Sequence, residues 1–253
     1  MWALLPLKKF NAAKQRLARI LAPDERRGLF RAMVCDVLAV LQSHEEIDGV
    51  LVVGQDFAAR DLANRFGADF LDESTLAAKG LNGAVHAGVQ ALALRGIEEV
   101  LVLHGDLPLI THPELSQLLD LHRQQNKFSV ENSPELKQPR SVTIAPDKLA
   151  LGTNCLICPT NADMTFFYGS NSFSAHTRSA FHAGLQLKAI SLPGASSDID
   201  TSEDLHALLR IAGPERAAHS FHYLCSAGIA ARLRGSGAEI AANLDEQYYR
   251  VSG

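Results

Sequence analysis

Glu98-Glu-Val-Leu-Val-Leu-His-Gly-Asp-Leu-Pro-Leu-Ile110 is the stretch on which the fold turns. Residues 100–103 form a short apolar, partly β-branched run, the pattern of a strand buried on both faces. Gly105-Asp106 follows at its end, then a Leu-Pro turn and a helical pattern from His112. Open α/β sheets place ligand chemistry outside the carboxyl ends of central strands, where Asp106 would emerge. Taken alone, Asp106 could equally cap a turn.

The surrounding chain supplies the context. Residues 2–7 read as a first strand, and a long helix starts at Pro23, with Leu29, Met33, Val37, Leu38 and Leu41 at helical spacing. A strand at 49–53, a helix at 57–66 and a short strand at 67–71 follow. The next helix starts after Gly80 and carries Val85, Val89, Leu92 and Leu94. Beyond the opening stretch comes a helix over 113–125. This alternation predicts an α/β fold in a single domain, a mainly parallel sheet flanked by helices. The polar segment 125–140 reads as a surface insertion. Two strands with a short connection, 141–145 and one running to Pro159, predict an antiparallel addition to the sheet. A helix from about Ser172 to Gly184, a strand at 186–192 and a helix start at Thr201 complete a domain over 1–212. Residues 213–253 read as a helical C-terminal extension, with a Gly-Ser-Gly break and a short helix near Ile240.

The chain has 253 residues, 47% hydrophobic and 21% charged, which is ordinary for a globular protein. Its formal net charge of −4 offers no global basic field to nucleic acid. No apolar run reaches the roughly eighteen residues of a membrane span. A secretory signal would put charge before the apolar run, whereas residues 2–7 lead into Lys8-Lys9, so none is expected. Cys35, Cys155, Cys158 and Cys225 make no disulfide framework, and a reducing cytoplasm suits them. Cys155 and Cys158, three apart on a strand, should face opposite sides, which disfavours a metal or redox pair. His219 and His222 read as residues of a helix face.

Several segments carry candidate chemistry. The loop after the first strand gathers Lys8, Lys9, Lys14 and Arg16, which suits a polyphosphate or is simply solvated. No Gly-x-Gly-x-x-Gly stands there, which argues against a dinucleotide-binding dehydrogenase. The Gly80-Leu81-Asn82 turn could read a base or ribose, or Asn82 could be a helix cap. The Gly169-to-Ser172 turn could cradle a phosphate or carboxylate, or Ser172 could cap. Asp198 and Asp200 fall on one side of an extended segment, where two acids repel and a cation is the natural partner. The helix start at Thr201 explains neither acid.

In order and spacing these segments resemble the 2-phospho-L-lactate guanylyltransferase family of coenzyme F-420 biosynthesis, with its phosphoenolpyruvate and 3-phospho-D-glycerate variants. The matching segments are Pro6-x-Lys8, Ala13-Lys14-x-Arg16-Leu17, Gly80-Leu81-Asn82, Gly105-Asp106-Leu-Pro108, Gly152-Thr153-Asn154, Gly169-x-x-Ser172-Phe173-x-x-His176, and Asp198-Ile-Asp200-Thr201-x-x-Asp204-Leu205. They cover residues 2 to about 210. The resemblance implies a nucleotide-diphospho-sugar-transferase-like (GT-A-like) fold, GTP as co-substrate and Mg2+ held by Asp106, Asp198 and Asp200. Those acids and Lys14 would be catalytic. Pro6, Lys8, Lys14, Arg16, Gly80, Leu81 and Asn82 would serve the nucleotide, and Thr153, Gly169 and Ser172 the phosphoacid. The expected partners are GTP, a small phosphoacid, a second copy of the chain and a downstream enzyme that accepts the guanylylated product.

His104, where the family usually has a small residue or proline, departs from the pattern, as do the insertion and the C-terminal extension. Relatives that act on sugar phosphates or molybdopterin usually carry a glycine-rich loop after the first strand, and this chain does not. A non-catalytic nucleotide-binding or scaffold protein is the alternative from another class, and retention of all three aspartates weighs against it.

Overall fold

These patterns become, in a computed structural model describing residues 1–77, 79–132 and 141–234, an alternation of strands and helices. In order they are β1 (Trp2–Pro6), α1 (Pro23–Ser43), β2 (Gly49–Gly54), α2 (Phe57–Arg65), β3 (Asp69–Asp72), α3 (Gly80–Ala93) and β4 (Glu99–Leu103). Then follow α4 (His112–Asn132), β5 (Ser141–Pro146), β6 (Thr153–Pro159), α5 (Ser172–His182), β7 (Gln186–Ala189), α6 (Ser202–Ile211) and α7 (Ala218–Ser226). The strands form one seven-stranded sheet in the order β3-β2-β1-β4-β6-β5-β7.

Parallel pairing joins β3, β2, β1 and β4, with Leu4 beside both Leu51 and Val102. β6 runs antiparallel to β4 and β5, and β7 lies parallel to β5. Because strand side chains alternate, β1 and β4 feed two cores. Ala3, Leu5, Leu101 and Leu103 pack with α1, α2, α4 and α6. Leu4, Val100 and Val102 pack with Val85, Val89 and Leu92 of α3 and Ala180 of α5. A Cβ at Gly88 would stand 2.5 Å from Leu4 Cδ1, so the absence of a side chain lets α3 lie this close to the sheet. Cys155 and Cys158 do face opposite cores, and burial pushes both thiols up to about 12.

Three expectations need correction. The polar insertion does not begin at residue 125, because α4 continues to Asn132. Asn126 Nδ2 donates to Glu99 Oε1 at 2.6 Å and Gln125 Nε2 donates to the Gln186 carbonyl at 2.9 Å. These polar side chains reach sheet partners, so they extend the helix rather than end it. Residues 133–140 and the segment around Ile240 lie outside the described residues. Leu94 is not part of the buried stripe; it sits just past α3 and is 90% exposed. The C-terminal helix starts at Ala218 rather than near Pro214, because Gly213 and Arg216 form a bridge and Ala217 turns left-handed at φ 53°.

The chain beyond Gly213 is tied firmly to α1. Asp36 accepts from the backbone N–H groups of His219 (2.8 Å) and Ser220 (3.0 Å), where α7 has unpaired donors. Leu224, Ile229, Ala230 and Leu233 join the core that holds Leu29 and Met33. Among the described residues, no helix is long and apolar enough to cross a membrane.

Candidate active site

The carboxyl ends of β1 and β4 open into a cleft of about 540 Å3. The antiparallel course of β6 brings its amino end to the same place, since Leu103 pairs with Cys155 and Thr153 and Asn154 come just before it. Gly105 lets the chain leave β4 tightly against α1. A Cβ there would meet Leu7 Cδ2 at 2.8 Å and Val34 Cγ2 at 2.9 Å.

Lys14 occupies the floor. Its backbone is left-handed (φ 54°, ψ 41°), an uncommon state for a non-glycine residue. The turn sends the side chain inward, where it is 3% exposed. Nζ donates to Asp106 Oδ2 at 2.6 Å and to Asp200 Oδ1 at 2.8 Å. Burial disfavours the ammonium, but the two carboxylates outweigh it and hold the Lys14 pKa above its usual value. Arg16 adds a looser contact, Nη1 to Asp200 Oδ2 at 3.6 Å, from a side chain that is 76% exposed. Lys8 is exposed on the same rim.

The acids arrive from two loops that bind each other, since the Ile199 N–H donates to the Asp106 carbonyl at 3.2 Å. Burial favours the protonated form of Asp106, yet Lys14 and then His104 hold its pKa below the usual carboxylate range. Asp198 goes the other way: burial raises its pKa, and the charges of Asp106 and Asp200 add to the rise. Among the described residues it makes no ion pair. Its Oδ1 accepts from Asn154 Nδ2 at 3.3 Å, and Asn154 also donates to the Ala195 carbonyl at 3.0 Å. Thr201 and Asp204 cap α6, and Asp204 Oδ2 accepts from the N–H of Asp200 at 3.2 Å. Among the described residues no three acids, histidines or cysteines form a ready-made metal cage. What the floor holds is a buried ammonium shared by Asp106 and Asp200, with Asp198 left without a cation partner among the described residues, a surplus of hard oxygen ligands that suits a divalent cation beside Asp198.

The far wall is built by β6, the turn before α5, and α5 itself. Thr153, Gly169 and Ser172 all line the cleft. Gly169 has φ 142°, a region open to glycine and strained for other residues. The first amides of α5 are partly used, since Ser172 N donates to the Gly169 carbonyl and Phe173 N to that of Leu151. His176 Nδ1 lies 3.0 Å from Thr153 Oγ1, and its Nε2 accepts from Phe167 N at 2.9 Å. Tyr168 packs edge-on against both His176 and His104.

Of the residues anticipated for the nucleotide, Pro6, Lys8, Lys14, Arg16 and Leu81 line the cleft; Gly80 and Asn82 are not part of its lining. Asn82 does not cap α3, whose N-cap residue is Lys79. Its amide clamps the backbone of Tyr168 instead, accepting from N at 2.6 Å and donating to O at 3.3 Å. His104 lines the cleft as well; burial lowers its pKa despite Asp106, and Lys8 contributes to the fall. Asn154, Tyr168 and His176 were not singled out from the residues as site groups. Asn154 stands in the matched segment Gly152-Thr153-Asn154 and is an amide at the start of a largely apolar strand, but neither feature gives it a role.

The family model described as "Guanylyl transferase CofC like" matches residues 1–242. The chain is 36% identical over 222 residues to a phosphoenolpyruvate guanylyltransferase of Conexibacter woesei, covering 87% of this chain and 92% of the relative. It is 32% identical over 207 residues to a 2-phospho-L-lactate guanylyltransferase of Methanothermobacter thermautotrophicus, covering 82% of this chain and 83% of the relative. Among solved structures, a nucleotide-diphospho-sugar transferase from Desulfovibrio desulfuricans G20 superposes with a TM-score of 0.67 at 14% identity, over 91% of this chain and 96% of that one. That likeness concerns the fold.

Proposed function

The chain belongs to the CofC-like guanylyl transferase family, and from that premise we propose that it moves GMP from GTP to the phosphate of a three-carbon phosphoacid. Pyrophosphate leaves, and the product is an intermediate of coenzyme F-420 biosynthesis, handed to a downstream enzyme. Phosphoenolpyruvate, 2-phospho-L-lactate and 3-phospho-D-glycerate share the chemistry that the cleft would recognise, a phosphate and a carboxylate on three carbons. The observation that carries this reading is the cleft itself, with a buried ammonium and three acids on its floor between a basic rim and a wall of small donors.

A phosphate oxygen of the acceptor forms a bond to the α-phosphorus of GTP as the bond from that phosphorus to the bridging oxygen breaks. A phosphate monoester has its second pKa near 6, so at neutral pH the attacking oxygen is already ionised and needs no general base. The difficulty is charge. At ~4 Å, two unit charges in an effective dielectric of ~20 repel by about 4 kcal/mol. Fixed cations offset that repulsion without reorganising. Lys8 and Arg16 take the triphosphate at the rim, and Lys14 places its ammonium below the reacting phosphorus. Thr153, Gly169 and Ser172 hold the acceptor. Asp106, Asp198 and Asp200 would hold Mg2+, which supplies charge neutralisation and Lewis-acid polarisation when bound.

The test is pyrophosphate release by purified protein with GTP and Mg2+, offered each phosphoacid in turn and a sugar 1-phosphate as control. Turnover that depends on a phosphoacid is expected. Turnover with the sugar phosphate alone would overturn the acceptor class.

A further inference from the structure

We propose that His176 is a positioning residue: it accepts no hydrogen from Thr153 and so leaves the Thr153 hydroxyl free to donate to the anionic acceptor. The argument rests on Thr153 belonging to the acceptor wall, as in the preceding section. It starts from a group that can only donate. The backbone N–H of Phe167 points at His176 Nε2 across 2.9 Å, so Nε2 must offer a lone pair. The ring is fully buried, and burial followed by the nearby His104 lowers its pKa to about 4, so it is neutral at physiological pH. A neutral imidazole has one N–H, and here that hydrogen sits on Nδ1.

Nδ1 faces Thr153 Oγ1 at 3.0 Å and therefore donates to it. The hydroxyl thus receives a hydrogen from the protein and keeps its own. In the opposite tautomer Thr153 would donate to the ring, and only lone pairs would face the cleft, which repel a phosphate or carboxylate. Thr153 begins β6 and lines the cleft, so the spared hydrogen is available to an acceptor bound there. The same ring braces the second wall. Its bond to Phe167 and its edge contact with Tyr168, at 4.7 Å between centroids, fix the chain leading into Gly169. One buried imidazole thereby sets the spacing between two acceptor contacts.

Two measurements test this. In 15N spectra of histidine-labelled protein without substrates, His176 should show a protonated Nδ1 and an unprotonated Nε2. The reverse tautomer would overturn the inference, whether or not any acceptor is turned over. In steady-state assays with GTP and phosphoenolpyruvate, His176→Phe should raise the acceptor KM about tenfold or more and move the GTP KM by less than about twofold. His176→Asn, whose amide can donate from the place of Nδ1, should recover most of the acceptor KM. Thr153→Val should match His176→Phe, and the double variant should be little worse than either single one. Equal effects on both substrates, or single effects that multiply, would reduce His176 to packing. If the wild type turns over no phosphoacid while the tautomer is as stated, the functional reading fails and the assignment of the hydrogen stands.

Discussion

Lys14 Nζ lies 2.6 Å from Asp106 Oδ2, across 92 positions of sequence, and 2.8 Å from Asp200 Oδ1. One buried cation therefore joins the loop after β1 to the acids at the ends of the later loops. Lys14→Met keeps the volume and removes the charge. It should lower pyrophosphate release by at least about a hundredfold, the scale of losing one fixed electrostatic contact. Its stability cost should be about 2–3 kcal/mol, below the full penalty of breaking a buried pair because water reaches both carboxylates. Asp106 has its folded pKa below the unfolded value, so its contribution is present above the unfolded value and is lost as pH falls through the folded one. Denaturant unfolding should show this contribution to the wild-type-to-variant gap at neutral pH and its loss in acid.

Asn82 separates two roles. As a base or ribose contact it would govern GTP; as the clamp on Tyr168 it governs the acceptor wall. Asn82→Ala should raise the acceptor KM about tenfold and change the GTP KM by less than about twofold. An effect confined to GTP would restore the nucleotide role.

His176 also predicts a pH dependence of stability. Its folded pKa of about 4 lies below the ordinary histidine value, so below that ordinary value the unfolded chain binds a proton that the folded chain refuses. The wild type should therefore lose roughly 2 kcal/mol relative to His176→Phe between about pH 7.5 and 5. Unfolding curves of both proteins at the two pH values check it, and a constant difference would contradict it.

Asp36 holds the start of α7. Asp36→Ala leaves the N–H groups of His219 and Ser220 without their acceptor, at a cost of about 1–2 kcal/mol. The expected sign is faster proteolysis within 213–217, with turnover of the surviving protein little changed. Unaltered proteolysis would mean that apolar packing of Leu224 and Leu233 alone seats this segment.

The sheet was legible because its central strands are apolar on both faces and its helices repeat at regular spacing. The antiparallel pair of β5 and β6 was legible from a short connection. What stayed hidden depends on partners distant in sequence. Asn126 looks like a loop residue until Glu99 appears beside it. Asn82 looks like a cap until its amide meets Tyr168, 86 positions away. Asp198 and Asp200 read as acids in need of a cation, and Lys14 entered as a catalytic residue only through the family resemblance. That its ammonium pairs with Asp106 and Asp200 was hidden, because the left-handed turn that buries it has no glycine to announce it. His176 stood in a matched segment without a role, since its importance lies in which nitrogen carries the hydrogen.

The most direct test of the central claim is 31P NMR of wild type and Asp198→Asn incubated with GTP, Mg2+ and each phosphoacid. The wild type should give free pyrophosphate and the paired resonances of a new phosphoanhydride between GMP and the acceptor, and the folded variant should give neither. Release of GDP with transfer of the terminal phosphate, or an unimpaired Asp198→Asn, would contradict the account.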